Sequence, residues 1–467
     1  MDTSIFKAYD IRGIYPDELD EEAAQRTALA FCHLYPWTKK IVIASDPRLS
    51  SPVLKKATID AFLSAGKSII DIGIAPDPLF YFAIFHKRFD GGIMISGSHN
   101  PANYNGLTLH VRKKGKELNE DVITEDLEKI KELVFSGKEI KVPLGRGEIE
   151  ERDISEEYVN YITSRIKIKK PLNVLIDSGN GSVGLLAEKI FKALGCKAKT
   201  IYAEPDGNFP HHLPDPYKKE NLEDIKKEVL SGGYDLGFAF DADGDRVAPI
   251  DSKGREVSGD DCILILARQA LKKKKGPVVH CMRVSGAFLD EMKKEGITTL
   301  FSVSHHNAVV NKILETKAVF GGEITYHFLF PLDYYLVDDA LFASLKLAEL
   351  ASDQEDFVEY LDSLPHRSAS PEIFIPTNDS EKFQLIEKLQ KYLRDNDYDF
   401  MDIDGARINF KNGWALARAS NTSPFIKCRF EGKSQEDLKE IIRKSLLIFK
   451  ETGIAIPEEI LIKLENL

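Results

Sequence analysis

The sequence predicts an α/β fold in which one supersecondary unit occurs three times before a different C-terminal domain. Each unit has an apolar run of strand length, a segment with helical periodicity that ends at glycine, and a second short strand. The three units begin at Lys40, Leu172 and Pro277. Their spacing fits a βαβ crossover, which places parallel strands in one covered sheet. We therefore expect three βαβ-containing domains of similar plan.

The chain from about Leu364 onward has a different pattern. Two apolar stretches flank Lys411-Asn412-Gly413, and this spacing predicts a β-hairpin. We expect the Asn-Gly pair to supply the positive φ of its tight turn. A third strand and a long amphipathic helix follow, which together predict a smaller α+β domain. The expected elements are strands over 406–410, 414–418 and 425–431 and a helix over 435–451.

The length of the chain is consistent with several domains. A chain of 467 residues corresponds to roughly three domains of about 150 residues each. The separate C-terminal pattern raises the expected number to four, because it does not repeat the βαβ unit. We expect a helix over 121–141 and the first linker near 145–154. The predicted domains span residues 1–149, 150–251, 252–364 and 365–467.

Composition and charge exclude several classes of protein. Apolar residues make up 43% of the chain, and 63 basic against 74 acidic residues give a net charge of −11. This balance argues against a surface that binds nucleic acid or a membrane, where Lys and Arg should dominate. No apolar run approaches the ~20 residues of a membrane span, and the start of the chain lacks the pattern of a secretory signal. The scattered cysteines indicate reduced thiols, so we expect a cytoplasmic protein. They are Cys32, Cys196, Cys262, Cys281 and Cys428.

A polar hexapeptide, Ser96-Gly97-Ser98-His99-Asn100-Pro101, follows an apolar run of strand length. Such a turn puts a serine hydroxyl at the carboxyl end of a strand, where open α/β sheets bind their ligands. The same residue types also form ordinary turns, so the motif alone leaves both interpretations open. The segment has no GxSxG elbow, and a nucleophilic serine here would need another source of activation.

Three carboxylates, Asp241, Asp243 and Asp245, follow a second strand-like segment at alternating positions. At about 5 Å and an effective dielectric constant of ~20, repulsion would cost about 3 kcal/mol for each pair. A divalent cation would remove that cost, and ligation by oxygen alone favours Mg²⁺ or Ca²⁺ over Zn²⁺. The loop is not an EF-hand, because Arg246 stands where that loop requires glycine. A solvated acidic turn is the alternative, and the apolar strand before the loop argues against it.

Two further loops carry groups suited to a phosphorylated sugar. Residues 321–327 combine two glycines with Glu323, Thr325 and His327, whose side chains could hydrogen-bond a polyol. Residues 418–424 combine Arg418 with several hydroxyl and backbone N–H groups, a set suited to phosphate. Each loop, taken by itself, is equally well explained as a polar turn.

A glycine-rich segment, residues 179–184, has the form GxGxxG after a strand and before a helix. Glu204 lies about where a dinucleotide-binding fold keeps its ribose-binding acid. However, Asp177 would place a carboxylate near any pyrophosphate, and a nicotinamide or flavin site would leave the other motifs unexplained. We therefore expect these glycines to serve turn and packing requirements.

In this order along the chain, the motifs resemble those of the α-D-phosphohexomutases, especially the phosphomannomutase/phosphoglucomutase type. The resemblance covers essentially the whole chain. It includes residues 6–13, which are similar to the opening segment of that family, and the hexapeptide around Ser98, which resembles its phosphoserine loop. The resemblance implies three related α/β domains with mixed sheets and a C-terminal α+β domain around a central cleft.

The resemblance also implies roles for individual residues. Ser98 would carry the phosphoryl group and would bind Mg²⁺ together with Asp241, Asp243 and Asp245. The catalytic residues would be Ser98, His99, Arg12, Arg246 and His327. The substrate-binding residues would be Tyr9, Arg283, His306, Glu323, Thr325, His327, Arg418, Ser420, Asn421 and Thr422.

The implied reaction interconverts hexose 1-phosphate and hexose 6-phosphate, with mannose, glucose or both as the sugar. Phospho-Ser98 would donate its phosphoryl group, and the resulting hexose 1,6-bisphosphate would turn around and return its other phosphate. The expected partner is a small-molecule sugar phosphate, and we expect the protein to be a monomer.

The chain departs from the family pattern at three positions. Thr108 stands where many relatives carry Lys, Arg283 stands where Lys is common, and Thr325 replaces the usual Ser. His110 could compensate for the missing lysine. Because an arginine does not deprotonate, catalysis would either be slower or rely on His327 or His99 for proton transfer. The alternatives are a phosphoglucosamine mutase, a sugar-phosphate-binding homologue with little activity, and a nicotinamide-dependent oxidoreductase.

Overall fold

The structure is a computed structural model in which the chain forms two compact units. It describes residues 3–7, 10–112, 120–121, 124–143, 145–378, 381–420 and 424–465. The first unit consists of Met1–Gly259 and Thr325–Asp362, and the second consists of Asp260–Ile324 and Ser363–Leu467. Among the described residues, no helix combines the length and apolar character needed to cross a membrane.

A mixed seven-stranded sheet opens the first unit. The strands are β1 (Ile11–Ile14), β2 (Lys40–Ser45), β3 (Ser68–Ile74), β4 (Gly91–Ile95), β5 (Tyr104–Val111), β6 (Glu120–Asp121) and β7 (Ile149–Glu151). The helices are α1 (Glu21–Leu34), α2 (Ser51–Ser64), α3 (Asp77–His86) and α4 (Thr124–Phe135). The strand order is β1-β5-β4-β2-β3-β7, with β6 beside β5. Strands β2, β3 and β4 run parallel, whereas β1 and β5 are antiparallel to their neighbours.

The first predicted βαβ unit is confirmed by β2, α2 and β3. Helix α2 ends just before Gly66, which has a φ of 71°, a conformation that glycine adopts without steric cost. The region predicted as a linker, 145–154, contains strand β7, which pairs in parallel with β3. The chain therefore extends the first sheet through part of that region before it leaves.

A second sheet in the first unit has four strands. Its elements are α5 (Ser155–Thr163), β8 (Asn173–Asp177), α6 (Ala187–Ala193), β9 (Lys197–Ile201), α7 (Glu223–Gly232), β10 (Leu236–Phe240) and β11 (Val247–Asp251). The order is β11-β10-β8-β9, in which only β11 runs antiparallel to its neighbour. Every residue of β10 and β11 is buried, so the loop between them begins and ends in buried strands.

The second unit begins with a parallel sheet that contains the third predicted βαβ unit. Its elements are α8 (Gly259–Lys273), β12 (Val278–Cys281), α9 (Gly286–Lys294), β13 (Thr299–Ser302), α10 (His306–Thr316) and β14 (Phe320–Gly322). Strand β12 lies between β13 and β14 and is parallel to both. The apolar residues of β12 are buried, as expected for a central parallel strand.

Residues 325–362 belong to the first unit. They form β15 (Phe328–Leu329), α11 (Ala340–Asp353) and α12 (Phe357–Asp362). Helix α11 is buried along nearly its whole length and packs against β10 and β11. Asp339 caps this helix by accepting a hydrogen bond of 2.7 Å from the N–H of Phe342.

An antiparallel sheet with three helices completes the second unit, which confirms the predicted α+β domain. The elements are β16 (Ser368–Ala369), β17 (Ile373–Pro376), α13 (Lys382–Asp395), β18 (Phe400–Met401), β19 (Ala406–Phe410), β20 (Gly413–Ala419), β21 (Phe425–Gly432), α14 (Gln435–Glu451) and α15 (Glu458–Glu465). The order is β16-β21-β20-β19-β18, with β17 also beside β21. Helix α14 begins with a capping box between Ser434 and Asp437.

The predicted hairpin is present, but its turn differs from the prediction. Phe410 pairs with Gly413, so the two turn residues are Lys411 and Asn412. None of Lys411, Asn412 and Gly413 has a positive φ. Glycine is needed at 413 for a different reason: a Cβ there would lie 2.0 Å from the carbonyl oxygen of Glu431 on β21. Close approach of two strands, and not turn geometry, therefore explains this glycine.

Candidate active site

Ser98 lies in the loop after β4, buried and in an unusual backbone conformation. Its φ is 47°, in the left-handed region that serine seldom occupies, and such strain is concentrated at functional sites. The Oγ of Ser98 is 3.0 Å from Nδ1 of His99, and it accepts a hydrogen bond of 3.4 Å from Nη2 of Arg246. The backbone N–H of Ser98 donates to Oγ of Ser96 at 2.8 Å. A serine oxygen held beside a guanidinium suits phosphoryl transfer.

Arg48, which the sequence motifs did not single out, holds this loop in place. Its fully buried side chain pairs with Asp46 through Nε at 2.9 Å. The two Nη atoms donate to four backbone carbonyl oxygens of the loop, those of Ser98, Asn100, Pro101 and Tyr104. Five bonds from one planar group define the loop more tightly than a lysine could. The signal in the sequence is an Asp-Pro-Arg tripeptide directly after β2.

The three aspartates of the loop after β10 lie together in the same unit. One carboxylate oxygen from each of Asp241, Asp243 and Asp245 lies within 4.8 Å of the others. Among the residues that the structure describes, the Oδ1 atoms of Asp243 and Asp245 are buried without a hydrogen-bond partner. Burial, and then the charge of Asp245, raise the pKa of Asp241 well above its usual range. Burial and the charge of Asp241 raise the pKa of Asp243 to about 7.

The aspartate loop has the properties of a metal-binding site. Carboxylate oxygens without partners in a buried site are costly, and a cation that they bind would remove the cost. The ligand set consists of oxygen atoms, which suits Mg²⁺ or Ca²⁺. The three aspartates could therefore hold a metal ion.

Hydrogen bonds connect the aspartate loop to the serine loop. The Oγ of Ser96 donates to Oδ2 of Asp243 at 2.6 Å, although the two residues are 147 positions apart. Arg246 pairs through Nε with Oδ2 of Asp241 at 2.9 Å and also contacts Ser98. The same guanidinium lies 3.5 Å from Asp215, a second carboxylate that the sequence motifs did not single out. The predicted serine and metal sites are therefore neighbours.

The GxGxxG segment supports the aspartate loop. A Cβ on Gly181 would lie 2.6 Å from the carbonyl oxygen of Ala242, and one on Gly184 would lie 2.2 Å from that of Ala203. Both the N–H and the hydroxyl of Ser182 donate to the carbonyl oxygen of Ala242 at 2.8 Å. Gly181 thus allows close packing against the backbone of the aspartate loop and Gly184 against that of Ala203, which confirms the expectation that these glycines serve packing.

Arg12 and His327 also belong to the first unit. Arg12, on β1, pairs with Asp10 at 2.8 Å, and its charge opposes part of the rise in the pKa of Asp243 that burial and Asp241 cause. Nδ1 of His327 lies 3.3 Å from Oδ2 of Asp338 and 4.0 Å from Oδ2 of Asp245. Burial lowers the pKa of His327, but the two carboxylates outweigh this effect and raise it to about 9.

Three other residues of the first unit bear on the predicted departures. Thr108 lies half-buried on β5 opposite Met94. His110 is buried with its ring edge-on to the rings of Phe80 and Tyr81, at centroid distances of 5.5 and 4.8 Å. His110 therefore contributes to aromatic packing against α3. Thr325 is half-buried and is the first residue of the first unit's second segment, Thr325–Asp362.

In the second unit, Arg283 lies between two carboxylates. Its Nη2 is 3.4 Å from Oε2 of Glu323, and its Nη1 is 3.2 Å from Oε1 of Glu372. Glu372 was missed by sequence reasoning because it lies 89 positions from Arg283 and outside any motif. Although burial raises the pKa of Glu372, Arg283 and neighbouring cations outweigh burial and lower it. The structure thus brings Arg283 and Glu323 together, as two of the predicted substrate-binding residues.

The remaining predicted residues of the second unit lie on α10 and at the end of β20. His306 is half-buried and begins α10. Arg418 pairs with Asp404 at 3.3 Å, and Ser420 is buried with its N–H donating to the carbonyl oxygen of Phe425. Three other predicted residues, Tyr9, Asn421 and Thr422, lie outside the described residues.

Comparison with known proteins places the chain in a family. Profiles of the phosphoglucomutase/phosphomannomutase family match four consecutive parts of it. They are alpha/beta/alpha domain I at residues 3–139, alpha/beta/alpha domain II at 156–254, alpha/beta/alpha domain III at 258–368 and the C-terminal domain at 372–445.

Individual relatives match over nearly the full length. A phosphomannomutase/phosphoglucomutase of Pseudomonas putida is 33% identical over 451 residues, which cover 95% of this chain and 96% of that protein. A phosphoglucomutase/phosphomannomutase of Thermococcus kodakarensis is 31% identical over 96% of this chain and 98% of its own length. A crystal structure of a phosphoglucomutase/phosphomannomutase family protein from Burkholderia thailandensis has a TM-score of 0.89 at 31% identity, with 98% of this chain and 99% of that chain covered. The chain belongs to the phosphoglucomutase/phosphomannomutase family.

Proposed function

We propose that the protein is a Mg²⁺-dependent phosphohexomutase that interconverts hexose 1-phosphate and hexose 6-phosphate. The observation that carries the proposal is the joining of the Ser98 loop to the aspartate loop by the Ser96–Asp243 and Arg246–Ser98 hydrogen bonds. The relatives' names support the same activity, with mannose or glucose as the sugar. Ser98 would carry the phosphoryl group and pass through a hexose 1,6-bisphosphate intermediate.

The first unit would perform the phosphoryl transfer. Asp241, Asp243 and Asp245, with an oxygen on Ser98, would hold Mg²⁺, which supplies charge neutralisation for the transferring group. Arg246 would bind the phosphoryl oxygens, because its guanidinium already reaches Ser98. Arg12 is a second candidate for this task, since its Nε is buried and donates to no hydrogen-bond acceptor in the described part of the chain.

A histidine would move the proton of the attacking hydroxyl. His99 has its Nδ1 within hydrogen-bond distance of the Ser98 oxygen, which supports a role in proton transfer. His327 is ion-paired with Asp338, which would orient its ring. Arg283 remains charged at neutral pH and would bind substrate without accepting a proton.

Glu323 and Arg418 are proposed to recognise the substrate. Glu323 would accept hydrogen bonds from sugar hydroxyls once it exchanges its contact with Arg283 for the sugar. Arg418 would bind the phosphate that is not being transferred. The other proposed substrate-binding residues are Tyr9, His306, Thr325, His327, Ser420, Asn421 and Thr422. We also propose the domain boundaries predicted above, a monomeric state and a cytoplasmic location.

Intact-mass measurement and a coupled assay would test the proposal. The wild-type protein should carry one extra phosphoryl group, and Ser98→Ala should lose both that mass and the activity. Ser136→Ala, which alters an exposed serine after α4, is the matched control and should keep both. A fully active Ser98→Ala protein would refute the assignment of the nucleophile.

The same assay with the 1-phosphates of mannose, glucose and glucosamine would identify the sugar and distinguish a phosphoglucosamine mutase. Turnover by pure protein after addition of a hexose 1,6-bisphosphate would exclude an inactive binding homologue. The nicotinamide-dependent alternative is not favoured, because the glycines of the GxGxxG segment pack against backbone.

A further inference from the structure

Asp77, a residue outside every motif described above, lies beside the aspartate loop. It is the first residue of α3 and is 6% exposed. Its backbone N–H donates to the carbonyl oxygen of Asp243 at 2.7 Å. The neighbouring Pro76 also contacts this loop, since a Cβ on Gly244 would lie 3.3 Å from its Cβ. The start of α3 therefore packs directly on the proposed metal site.

No described residue neutralises the side chain of Asp77. Within the described part of the chain, its Oδ1 is buried without a hydrogen-bond partner, as are the Oδ1 atoms of Asp243 and Asp245. The carboxylates of Asp243, Asp245 and Asp241 interact electrostatically with this buried carboxyl group. All of these effects oppose a negative charge at this position.

Among the described residues, the arginines beside the aspartate loop already pair with other carboxylates. Arg246 pairs with Asp241, Asp245 and Asp215, Arg48 pairs with Asp46, and Arg12 pairs with Asp10. The N-terminus of α3 contributes at most about 1 kcal/mol at an ordinary site, whereas an uncompensated buried ion costs several kcal/mol. A cation beside Asp77 would balance the charges.

We propose that Asp77 is a fourth carboxylate of the metal centre, which strengthens cation binding without being one of the three direct ligands. It would act through its charge and by accepting hydrogen bonds from water on the ion. The inference rests on the metal site of the proposed function and adds to it a residue that the three-aspartate motif does not contain.

Metal titration of the chelator-treated full chain tests the proposal. With Mg²⁺ followed by calorimetry, or Mn²⁺ by electron paramagnetic resonance, Asp77→Asn should raise the Kd about 10- to 100-fold. Glu22→Gln removes a charge from the first turn of α1, where the side chain is exposed, and should leave the Kd unchanged. Asp77→Ser is a second variant, which should weaken binding as Asp77→Asn does.

Melting temperatures give a readout that is independent of activity. In the absence of metal, Asp77→Asn should melt at or above the temperature of the wild type, because repulsion has been removed. Saturating Mg²⁺ should then raise the Tm less than it does in the wild type. A metal-free Asp77→Asn protein that melts below the wild type would contradict the repulsion on which the proposal depends.

Asp243→Asn distinguishes the role of Asp77 from the existence of the metal site. Loss of binding in this variant, together with a wild-type Kd in both Asp77 variants, would overturn the role of Asp77 and leave the metal site intact. Equal binding by wild type and Asp243→Asn would instead reject the metal site itself.

Discussion

Replacing Arg48 with methionine should loosen the loop that carries Ser98. The substitution keeps much of the side-chain volume but leaves Asp46 buried without its ion pair. It also removes four hydrogen bonds to backbone carbonyl oxygens of the loop. Breaking a buried ion pair typically costs 3–5 kcal/mol. We expect about 3 kcal/mol, because Asp46 keeps hydrogen bonds from Ser51, Ser96 and the N–H of Gly97.

Hydrogen exchange followed by mass spectrometry measures this loss of stability in the loop itself. A loss of about 3 kcal/mol corresponds to exchange of the loop amides that is faster by roughly a hundredfold. The amides of Gly97 and Ser98 are suitable probes, since each donates a hydrogen bond within this region. The phosphoryl group that we propose on Ser98 should also be reduced or lost in Arg48→Met.

Arg255→Met is the matched control for Arg48→Met. Arg255 pairs with Asp251 and Asp362 at 2.7 Å each, but its side chain is 46% exposed. An exposed pair contributes at most about 1 kcal/mol, so this variant should leave exchange of the Ser98 loop unchanged. If the loop amides exchange at the wild-type rate in Arg48→Met, then Arg48 does not hold the loop and the reasoning is wrong.

Three further predictions concern packing and buried polar groups. Gly97→Ala should lower the urea midpoint by an amount equivalent to about 1–3 kcal/mol, because the new Cβ would lie 2.4 Å from Nε of Arg48. An unchanged midpoint would mean that the loop can shift freely. Burial lowers the pKa of His280 to about 3, compared with about 6.5 in the unfolded chain. The free energy of unfolding should therefore decrease as the pH drops below about 6.5, and it should be lower by about 2 kcal/mol at pH 5. His280→Phe should flatten that dependence in thermal melts from pH 7 to 5. Tyr158→Phe should cost about 1–3 kcal/mol in urea unfolding, because the hydroxyl of Tyr158 lies 3.0 Å from both carboxylate oxygens of Asp339, and retention of full stability would contradict this role.

The βαβ units and the C-terminal hairpin could be predicted because their signals are local. Hydrophobic periodicity and a terminating glycine depend on neighbouring residues, and they located β2, α2 and β3 correctly. The hairpin shows the limit of such signals. Its strands were predicted, but the reason for Gly413 was not, because the β21 backbone that approaches it comes from later in the chain.

The sequence by itself determined the order of motifs, and with it the family, because Ser98 and the three aspartates occur in short continuous segments. Only the tertiary structure decided which other side chains surround them. Asp77 and Asp338 lie outside the motifs. The packing of α3 places Asp77 beside the aspartate loop, and the segment before α11 places Asp338 beside His327. Electrostatic interactions act through space and their strength depends on burial, whereas sequence patterns reflect only neighbours along the chain.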